Sequence, residues 1–556
     1  MYDVVVAGAG PVGMTLGLDL AWRGVTALVV DPREGPVGYP RCNNVAARTM
    51  EHYRRLGIAD QIRRAGLPPG HPTDVVYRVR YGGPEYCRFS YPPSREVLDG
   101  SWKSDFWPTA EPNHKVNQLH FEPILEERLG ELAGIDLLRG VRLEGYHQLD
   151  DHVEVDLLEK ATGRRTREQA RYIVGCDGGS STVRRAMGVS LVGDTALNHH
   201  QYSMYVRSRE LAASSPDRVW MALVRNHEGT YTVIAVDGVE TFLIHVALPA
   251  DQPDKPVDQS EVLSRIVGGP VEFEILADTR WAGQAIVAER YRDRRAFLAG
   301  DAAHLWTPYA GFGMNTGIGD AIDLSWKVWA VLNGWAPDSL LDSYEIERRP
   351  IGERVARAII SGFKQSRELL RVGPICADDT PEGREERRRI GELITAQDRS
   401  QFDCTGLNFG IDYADSPIVW PDGSKPPPFE IGSYTPSTTP GCRLPHLWLR
   451  DGRALYDVLG PGFTLLVLGA GAGAGIGGII DAAARRGLPL EVVTVDEPGA
   501  ADLLSAPLLL VRPDQHVSWR GDHLPDAGTL LDRVTGVEAC PGEWKTVASS
   551  ISSTVG

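Results

Sequence analysis

The sequence predicts an α/β fold led by a parallel sheet, on three observations. A strand, a glycine-rich turn, a helix and a second strand follow one another without a break over residues 1–40. Two further strand-to-glycine junctions stand near residues 175 and 300, and much of the stretch between them alternates like a mixed or antiparallel sheet. A chain of 556 residues also has room for two or three domains with ample core.

The first forty residues organise the rest. Tyr2-Asp3-Val4-Val5-Val6-Ala7 reads as a short buried strand, with three β-branched residues in a row. It runs into Gly8-Ala9-Gly10-Pro11-Val12-Gly13 and then a helical pattern over residues 14–23, closed by Gly24. A second apolar strand, residues 25–30, ends on Asp31. Gly8 allows the tight turn, Gly10 lets backbone approach a pyrophosphate, and Gly13 lets helix and strand pack closely. The helix start offers open N–H groups and a positive dipole end to phosphates. Asp31 is placed to accept hydrogen bonds from an adenosine ribose. With 60 glycines in the chain a lone GxGxxG means little. Here the motif has its strand, helix, second strand and acidic tip in order, so a Rossmann-type dinucleotide site is expected.

Composition excludes several function classes. The 42% hydrophobic content is that of a soluble globular protein, and 58 basic against 74 acidic residues give −16, which argues against nonspecific nucleic-acid binding. No run of 18 apolar residues suggests a membrane span, and no basic, cleavable segment precedes the first strand, so a cytoplasmic protein is expected. The seven cysteines (42, 87, 176, 376, 404, 442, 540) form no CxxC pair, which fits reduced thiols. No metal is expected: the 14 histidines form no ligand cluster, and the adjacent His199 and His200 would point to opposite faces of a strand.

Along the chain, Pro40 to Val45 leads into a helix over residues 46–57, ended by Gly57. Arg41 and Arg48 are placed to reach a phosphate or an anionic ring. Exposed helix arginines are the plain alternative, and the pattern leaves the two even. Residues 74–80 and 85–91 read as short antiparallel strands, 121–132 as an amphipathic helix, and 136–143, 153–159 and 171–174 as strands. Residues 172–185 repeat the first motif's logic with Asp177-Gly178-Gly179 and Arg184. Residues 200–280 look like a substrate-covering sheet. The third junction, Leu298-Ala299-Gly300-Asp301, is followed by a Pro/Gly loop and a long helix expected from Asn315 to Leu332. Asp301 at a strand end is placed to bind a polyol, and the helix start to stabilise negative charge on a reduced ring.

Gly8, Gly10 and Gly13 with Asp31, Asp177-Gly178 with Arg184, and Gly300-Asp301, in this order and separation, resemble the three motifs of single-component FAD-dependent aromatic hydroxylases, the class A flavoprotein monooxygenases. The resemblance covers about residues 2–360. It implies an FAD site made by Gly8, Gly10, Pro11, Val12, Gly13, Asp31 (where most relatives carry Glu), Arg33, Arg41, Gln118, Asp177, Gly178 and Asp301, the last holding the ribityl chain. Pro308, Gly311, Gly313, Met314 and Asn315 would lie along the isoalloxazine ring, with Ala310-Gly311 standing where many relatives show Gly-Gly. Residues 341–350 resemble the family's post-motif helix, taken as structural. No separate nicotinamide motif precedes residue 460, and the resemblance implies that NADPH or NADH visits the flavin transiently, as in that family.

After a charged helical region and the Pro-rich connector Lys425-Pro426-Pro427-Pro428, a new unit begins near Pro440. The glycine run 469–475 after the strand 463–468 could pass for a second dinucleotide site, but it is nearly low-complexity, and glycines at motif spacing arise there by chance. Residues 440–446, 463–468 and 508–520 instead resemble the thioredoxin-like tail of the phenol hydroxylase subgroup. Without CxxC a redox role is unsupported, and a structural or oligomerising role is expected. The expected partition is FAD-binding segments 1–75, 114–190 and 286–400 (the last with a helical segment), interleaved with mixed-sheet substrate segments 76–113 and 191–285. A linker, 401–435, and a thioredoxin-like α/β domain, 436–556, complete it.

The chemistry that the resemblance implies is reduction of FAD by NAD(P)H, addition of O₂ at the flavin C4a, and transfer of one oxygen from the hydroperoxide to a phenolic or polycyclic aromatic substrate. A phenol must be nearly deprotonated to react, so a base or relay is expected. The candidate catalytic residues are Arg48, Tyr291, Pro308 and Tyr309, and the candidate substrate contacts are His114, Tyr205, Trp281 and Tyr309. His114 and the tyrosines are each also plausible as packed residues. Two alternatives stay open: an FAD-dependent reductase or dehydrogenase without oxygen transfer, and a non-catalytic flavoprotein that binds an aromatic metabolite. Homo-oligomerisation is left open.

Overall fold

The structure is a computed structural model that describes residues 1–104, 106–194, 197, 200–308, 311–368, 372–469 and 475–537. The strand Tyr2–Ala7 pairs in parallel with Ala27–Asp31 on one side and Arg165–Gly175 on the other. Covered on both faces, it must be apolar at every inner position, and Val4, Val5 and Val6 are wholly buried. The sheet runs Arg292–Asp293, Ala296–Leu298, Arg165–Gly175, Tyr2–Ala7, Ala27–Asp31, Ile135–Arg139, with Val141–Gln148 and Val153–Glu159 added as an antiparallel flap. Register sets Ala7 opposite Gly175 and Leu298 opposite Gly175. The three glycine junctions of the sequence therefore leave one edge of one sheet, at the carboxyl ends of its strands, where α/β sheets bind ligands. The strand expected over 136–143 is two strands, because Gly140 turns the chain with φ +70°.

A second, seven-stranded sheet is ordered Glu274–Ala282, His200–Arg207, Thr241–Leu248, Gly229–Ala235, Met221–Asn226, Val75–Arg78, Glu85–Phe89. It is antiparallel except that Val75–Arg78 runs parallel to Met221–Asn226. Met204, Ile244, Val233 and Ala222 lie in cross-strand register on one face, all buried, in one core with Val262, Leu263 and Ile266 of the helix Gln259–Val267. The opposite face alternates with it and carries the half-buried Met221, Leu223, Thr232, Tyr205 and His245. At the far end the helix Pro381–Asp403 packs on this sheet, and Asp398 accepts a hydrogen bond from Tyr77 Oη at 2.8 Å.

The C-terminal unit is a four-stranded sheet ordered Leu490–Val495, Phe463–Leu468, Leu508–Val511, Val517–Gly521. The first two strands are parallel and joined by the helix Ile476–Arg486. The other pairs are antiparallel, and the helix Ala527–Val534 follows. This is the thioredoxin-like arrangement. Residues 470–474 of the glycine run lie outside the described residues. The unit docks on the helix Phe312–Leu332: Phe463 packs edge-on to Trp326 and Trp335, at 6.1 and 6.3 Å between ring centroids. A buried ion network closes the seam. Arg512 bonds Glu347 at 2.6 and 2.9 Å, Asp323 at 3.2 Å and Asp514 at 2.6 Å, while Lys327 bonds Asp323 at 2.7 Å and Glu347 at 2.5 Å. Burial works against the Glu347 charge, but Arg512 and Lys327 outweigh it and hold this carboxyl well below its ordinary range. Among the described residues no helix is long and apolar enough to cross a membrane.

Breaking one partner of such a network leaves buried charge uncompensated. Arg512→Met is expected to destabilise the protein by about 3–5 kcal/mol. The check is the guanidinium chloride midpoint, and an unchanged midpoint would show that the seam does not depend on these ions.

Candidate active site

At the first junction Gly8 has φ +104°, and a Cβ there would lie 2.2 Å from the Cys176 carbonyl oxygen. A Cβ on Gly13 would sit 1.9 Å from the Gly8 oxygen, whereas the space over Gly10 is open. The helix Pro11–Trp22 starts there with no side-chain cap, so its first N–H groups face that space. Asp31 stands at the strand tip as expected, but its carboxylate already serves the protein. Oδ2 accepts from Ala9 N at 2.7 Å and Oδ1 from Arg33 N at 2.8 Å. The Arg33 guanidinium lies on Asp31, Glu122 and the Ala9 carbonyl. Gln118 donates through Nε2 to Glu122 at 2.5 Å and through its backbone N–H to Cys42 O at 2.8 Å, tying the helix Gln118–Gly130 to the loop after Pro40.

At the second junction Asp177 Oδ2 accepts from Thr182 N at 2.6 Å and Val183 N at 3.3 Å, while Oδ1 is buried without a hydrogen-bond partner. Gly178 has φ +79°. Arg184 joins this junction to the third by donating to Gly179 O at 2.6 Å and Ala302 O at 2.9 Å. The Asp301 side chain reaches solvent. The protein packed around it still strips solvation and raises its carboxyl pKa, against the opposing pull of His304 and Arg41. Beneath it, Asp320 accepts from Gly300 N at 3.1 Å, His304 Nε2 at 2.8 Å and Arg348 Nε at 2.8 Å.

The long helix spans Phe312–Leu332, so it starts before the expected Asn315, with Gly311 left-handed at φ +70° and no side-chain cap. Asn315 Oδ1 accepts from Ala46 N at 2.9 Å and Thr49 Oγ1 at 2.8 Å, and Nδ2 donates to Asn44 O at 3.0 Å and Gly311 O at 2.6 Å. Its amide therefore staples the 44–46 loop to the helix start. A Cβ on Gly313 would come within 3.5 Å of Trp306 Nε1. Met314 is half-buried and Pro308 is exposed. Tyr309 and Ala310 lie outside the described residues.

On the seven-stranded sheet the expected Trp281 and Tyr205 are joined by two residues that the sequence reading passed over. Trp281 Nε1 donates to Ser203 Oγ at 2.8 Å, and Ser203 Oγ lies 2.6 Å from His245 Nδ1. An indole can only donate, so Ser203 Oγ accepts from Trp281 and links it to the His245 imidazole. Burial pushes the histidine down to about 4, which keeps it neutral near pH 7. Across the cleft, Tyr39 on the loop that leads to Arg41 has Ser203 beside its hydroxyl. Ser203 and His245 carry a sequence signal, a polar residue inside an apolar strand, but their pairing is set by register across 42 residues.

Three expected site residues face elsewhere. Arg48 is committed to the C-terminal unit, with Nη1 on Gln515 Oε1 at 2.6 Å and Nη2 on Asp514 O at 2.7 Å. Tyr291 is wholly buried, its hydroxyl without a partner, against Tyr344 and His304. His114 bridges to Val45 and has Nε2 2.9 Å from Ile62 O, and burial pushes it down to about 3. These are packing and docking residues. Arg41 is exposed near Asp301.

Comparison with known proteins agrees with this arrangement. The family model described as FAD binding domain matches residues 1–359, and that described as aromatic-ring hydroxylase, C-terminal, matches residues 437–537. The FAD-dependent monooxygenase apdD of Emericella nidulans is 31% identical over 96% of this chain and 90% of its own. A putative polyketide hydroxylase of Streptomyces halstedii is 30% identical over 96% and 92%. Among solved structures, the rebeccamycin biosynthetic enzyme RebC with reduced flavin superposes with a TM-score of 0.87 at 36% identity, covering 96% of this chain and 99% of that one.

Gly8→Ala forces a side chain into left-handed backbone, a strain of about 1–3 kcal/mol, and into the Cys176 carbonyl. The purified variant is expected to be less stable and largely colourless. FAD content at the wild-type level would refute the role given to this turn.

Proposed function

The chain belongs to the FAD-dependent aromatic-ring hydroxylases, and from that premise we propose that it places one oxygen atom of O₂ on a polycyclic, phenol-bearing aromatic, with NADPH or NADH as reductant. It is an FAD-dependent monooxygenase. The relatives' names, monooxygenase and hydroxylase, support oxygen transfer over a hydride-only reductase. Polycyclic substrates are favoured because the relatives include enzymes named for polyketides and for aklavinone. The observation that carries the reading is geometric. Three glycine junctions share one sheet edge, and Tyr39, on the loop after the second strand, lies beside Ser203 on a broad sheet face that also bears His245.

The residues fit FAD. The cradle over Gly10 is open, Asp177 Oδ1 is buried and unpartnered, Asp301 is accessible, and an uncapped helix starts at a left-handed Gly311. We assign the pyrophosphate to residues 8–13, the ribose end to Asp31 and Arg33, the polyol to Asp301 and the ring to residues 311–315. Bound FAD supplies hydride acceptance and oxygen activation. The chain's own part is positioning and charge. The Phe312–Leu332 helix start favours negative charge on the ring, and His245 Nε2–H offers a donor that holds a substrate oxygen in place. In that tautomer Nδ1 takes the Ser203 hydroxyl proton. The free thiols Cys42, Cys87, Cys176, Cys376, Cys404 and Cys442 support a cytoplasmic setting.

The test is aerobic NADPH and NADH oxidation by the yellow protein over a panel of phenols and polycyclic hydroxyaromatics, in isotopically heavy O₂. One compound is expected to accelerate oxidation and gain one heavy oxygen atom. Reduction or desaturation without oxygen gain would leave a flavoenzyme but remove the hydroxylase. His245→Ala should retain FAD and lose about 10²-fold in turnover, with reductant still consumed. Unaltered coupling would remove His245 from the site.

A further inference from the structure

Lys115 lies on the loop after His114 and is 5% exposed. Its Nζ donates to Asn44 Oδ1 at 2.9 Å, and the rings of Trp220 and Tyr91 cover it, their centroids 4.5 and 5.4 Å away. Among the described residues no carboxylate comes within ion-pair distance of it. The acid it senses most, Asp403, is already bound to Arg399 at 2.8 Å and to Tyr91 Oη at 3.0 Å. The thiols of Cys42 and Cys404 are also near, but burial pushes them up to about 11 and about 12, so they are neutral and supply no charge. Another deeply buried lysine shows what a finished ion pair looks like here, since Lys327 holds two carboxylates. A buried ammonium with one neutral acceptor and two rings is incompletely compensated.

Its position says what completes it. Asn44, the residue it bonds, has its carbonyl held by Asn315, and its Cβ is what a side chain on Gly311 would meet at 3.2 Å. The cation therefore sits beside the helix start assigned to the flavin ring, while Trp220 and Tyr91 belong to the substrate sheet side. We propose that Lys115 recognises an anionic oxygen on the substrate, a carboxylate or an ionised phenol, and that the enzyme acts on acidic rather than neutral aromatics. The word substrate rests on the hydroxylase reading, whereas the anion site does not.

The experiment titrates the holoenzyme with 1-naphthol, 1-hydroxy-2-naphthoate and 2,4-dinitro-1-naphthol at neutral pH, reading the flavin difference spectrum. The first probe is neutral, the second a carboxylate and the third a phenolate. The wild type is expected to bind at least one ionised probe about tenfold tighter than 1-naphthol, and which one identifies the group. Lys115→Met should erase that preference and leave 1-naphthol binding unchanged, and Lys115→Arg should keep it. Lys115→Gln, which retains a bond to Asn44, is read in parallel and decides the matter if the methionine variant does not fold. A wild type without preference, or a variant that keeps it, overturns the proposal. If the preference depends on Lys115 but no oxygen is transferred to any probe or panel compound, the anion site stands and the hydroxylase reading falls.

Discussion

Asp320 is wholly buried in the long helix, and its two oxygens accept from a backbone N–H, an imidazole and a guanidinium at once. Gly300 turns with φ +61°, and its Cα lies 2.7 Å from where a Cβ on Gly317 would be, so the helix passes directly over the turn that presents Asp301. Burial alone would drive the carboxyl to protonate, but His304 and Arg348 outweigh it and keep it charged. Each partner then extends the constraint. His304 stacks on Trp306 at 4.4 Å, on the strand that leads to Pro308. Arg348 bonds Thr316 O and Tyr413 Oη, bringing the second long helix and the connector to the same point. The turn that presents Asp301, the strand that leads to Pro308 and the helix start thus share one negative charge.

The C-terminal unit acts on the same loop from the other side. Arg443 pairs with Glu51 and lies 4.4 Å over Phe409, while Arg48 reaches back to Gln515 and Asp514. Both act on the helix Ala47–Arg55. The first N–H of that helix is held by Asn113 at 2.7 Å and Asn408 at 2.8 Å. What precedes that N–H is the Cys42–Ala46 stretch that Asn315 staples. The C-terminal unit thus holds in place the helix that follows the Cys42–Ala46 stretch.

The glycine junctions were legible in the sequence because close approach and left-handed backbone restrict the residue type itself. Gly8, Gly13 and Gly311 each meet such a demand, and their strands and helices followed from periodicity. Side-chain roles were less legible. Asp31 was placed correctly at the strand tip, yet nothing local shows that Ala9 N–H and Arg33 occupy it. Arg48 and Tyr291 were read as site residues because arginine and tyrosine suit the chemistry, but their partners, Gln515 and Tyr344, are distant in sequence. Ser203 and His245 were missed for the same reason, since a pair 42 residues apart exists only once strand register is known.

Alternation in the seven-stranded sheet also separates what must be kept from what can vary. Met204, Ile244, Val233 and Ala222 fill a core against the Gln259–Val267 helix, where a change of one methylene is felt. Their neighbours one position away, Tyr205, His245, Thr232, Leu223 and Met221, are half-buried on the other face, where Tyr205, Leu223 and Met221 still pack against that core. Substitution there alters the shape and polarity of that face at a smaller packing cost than in the core. The Rossmann edge, by contrast, is bound by backbone clashes and by Asp320, and tolerates little. One fold can therefore hold the redox chemistry fixed and vary the molecule it acts on. In this chain the half-buried face carries the Ser203–His245 pair, and the loop after His114 carries the incompletely compensated cation of Lys115.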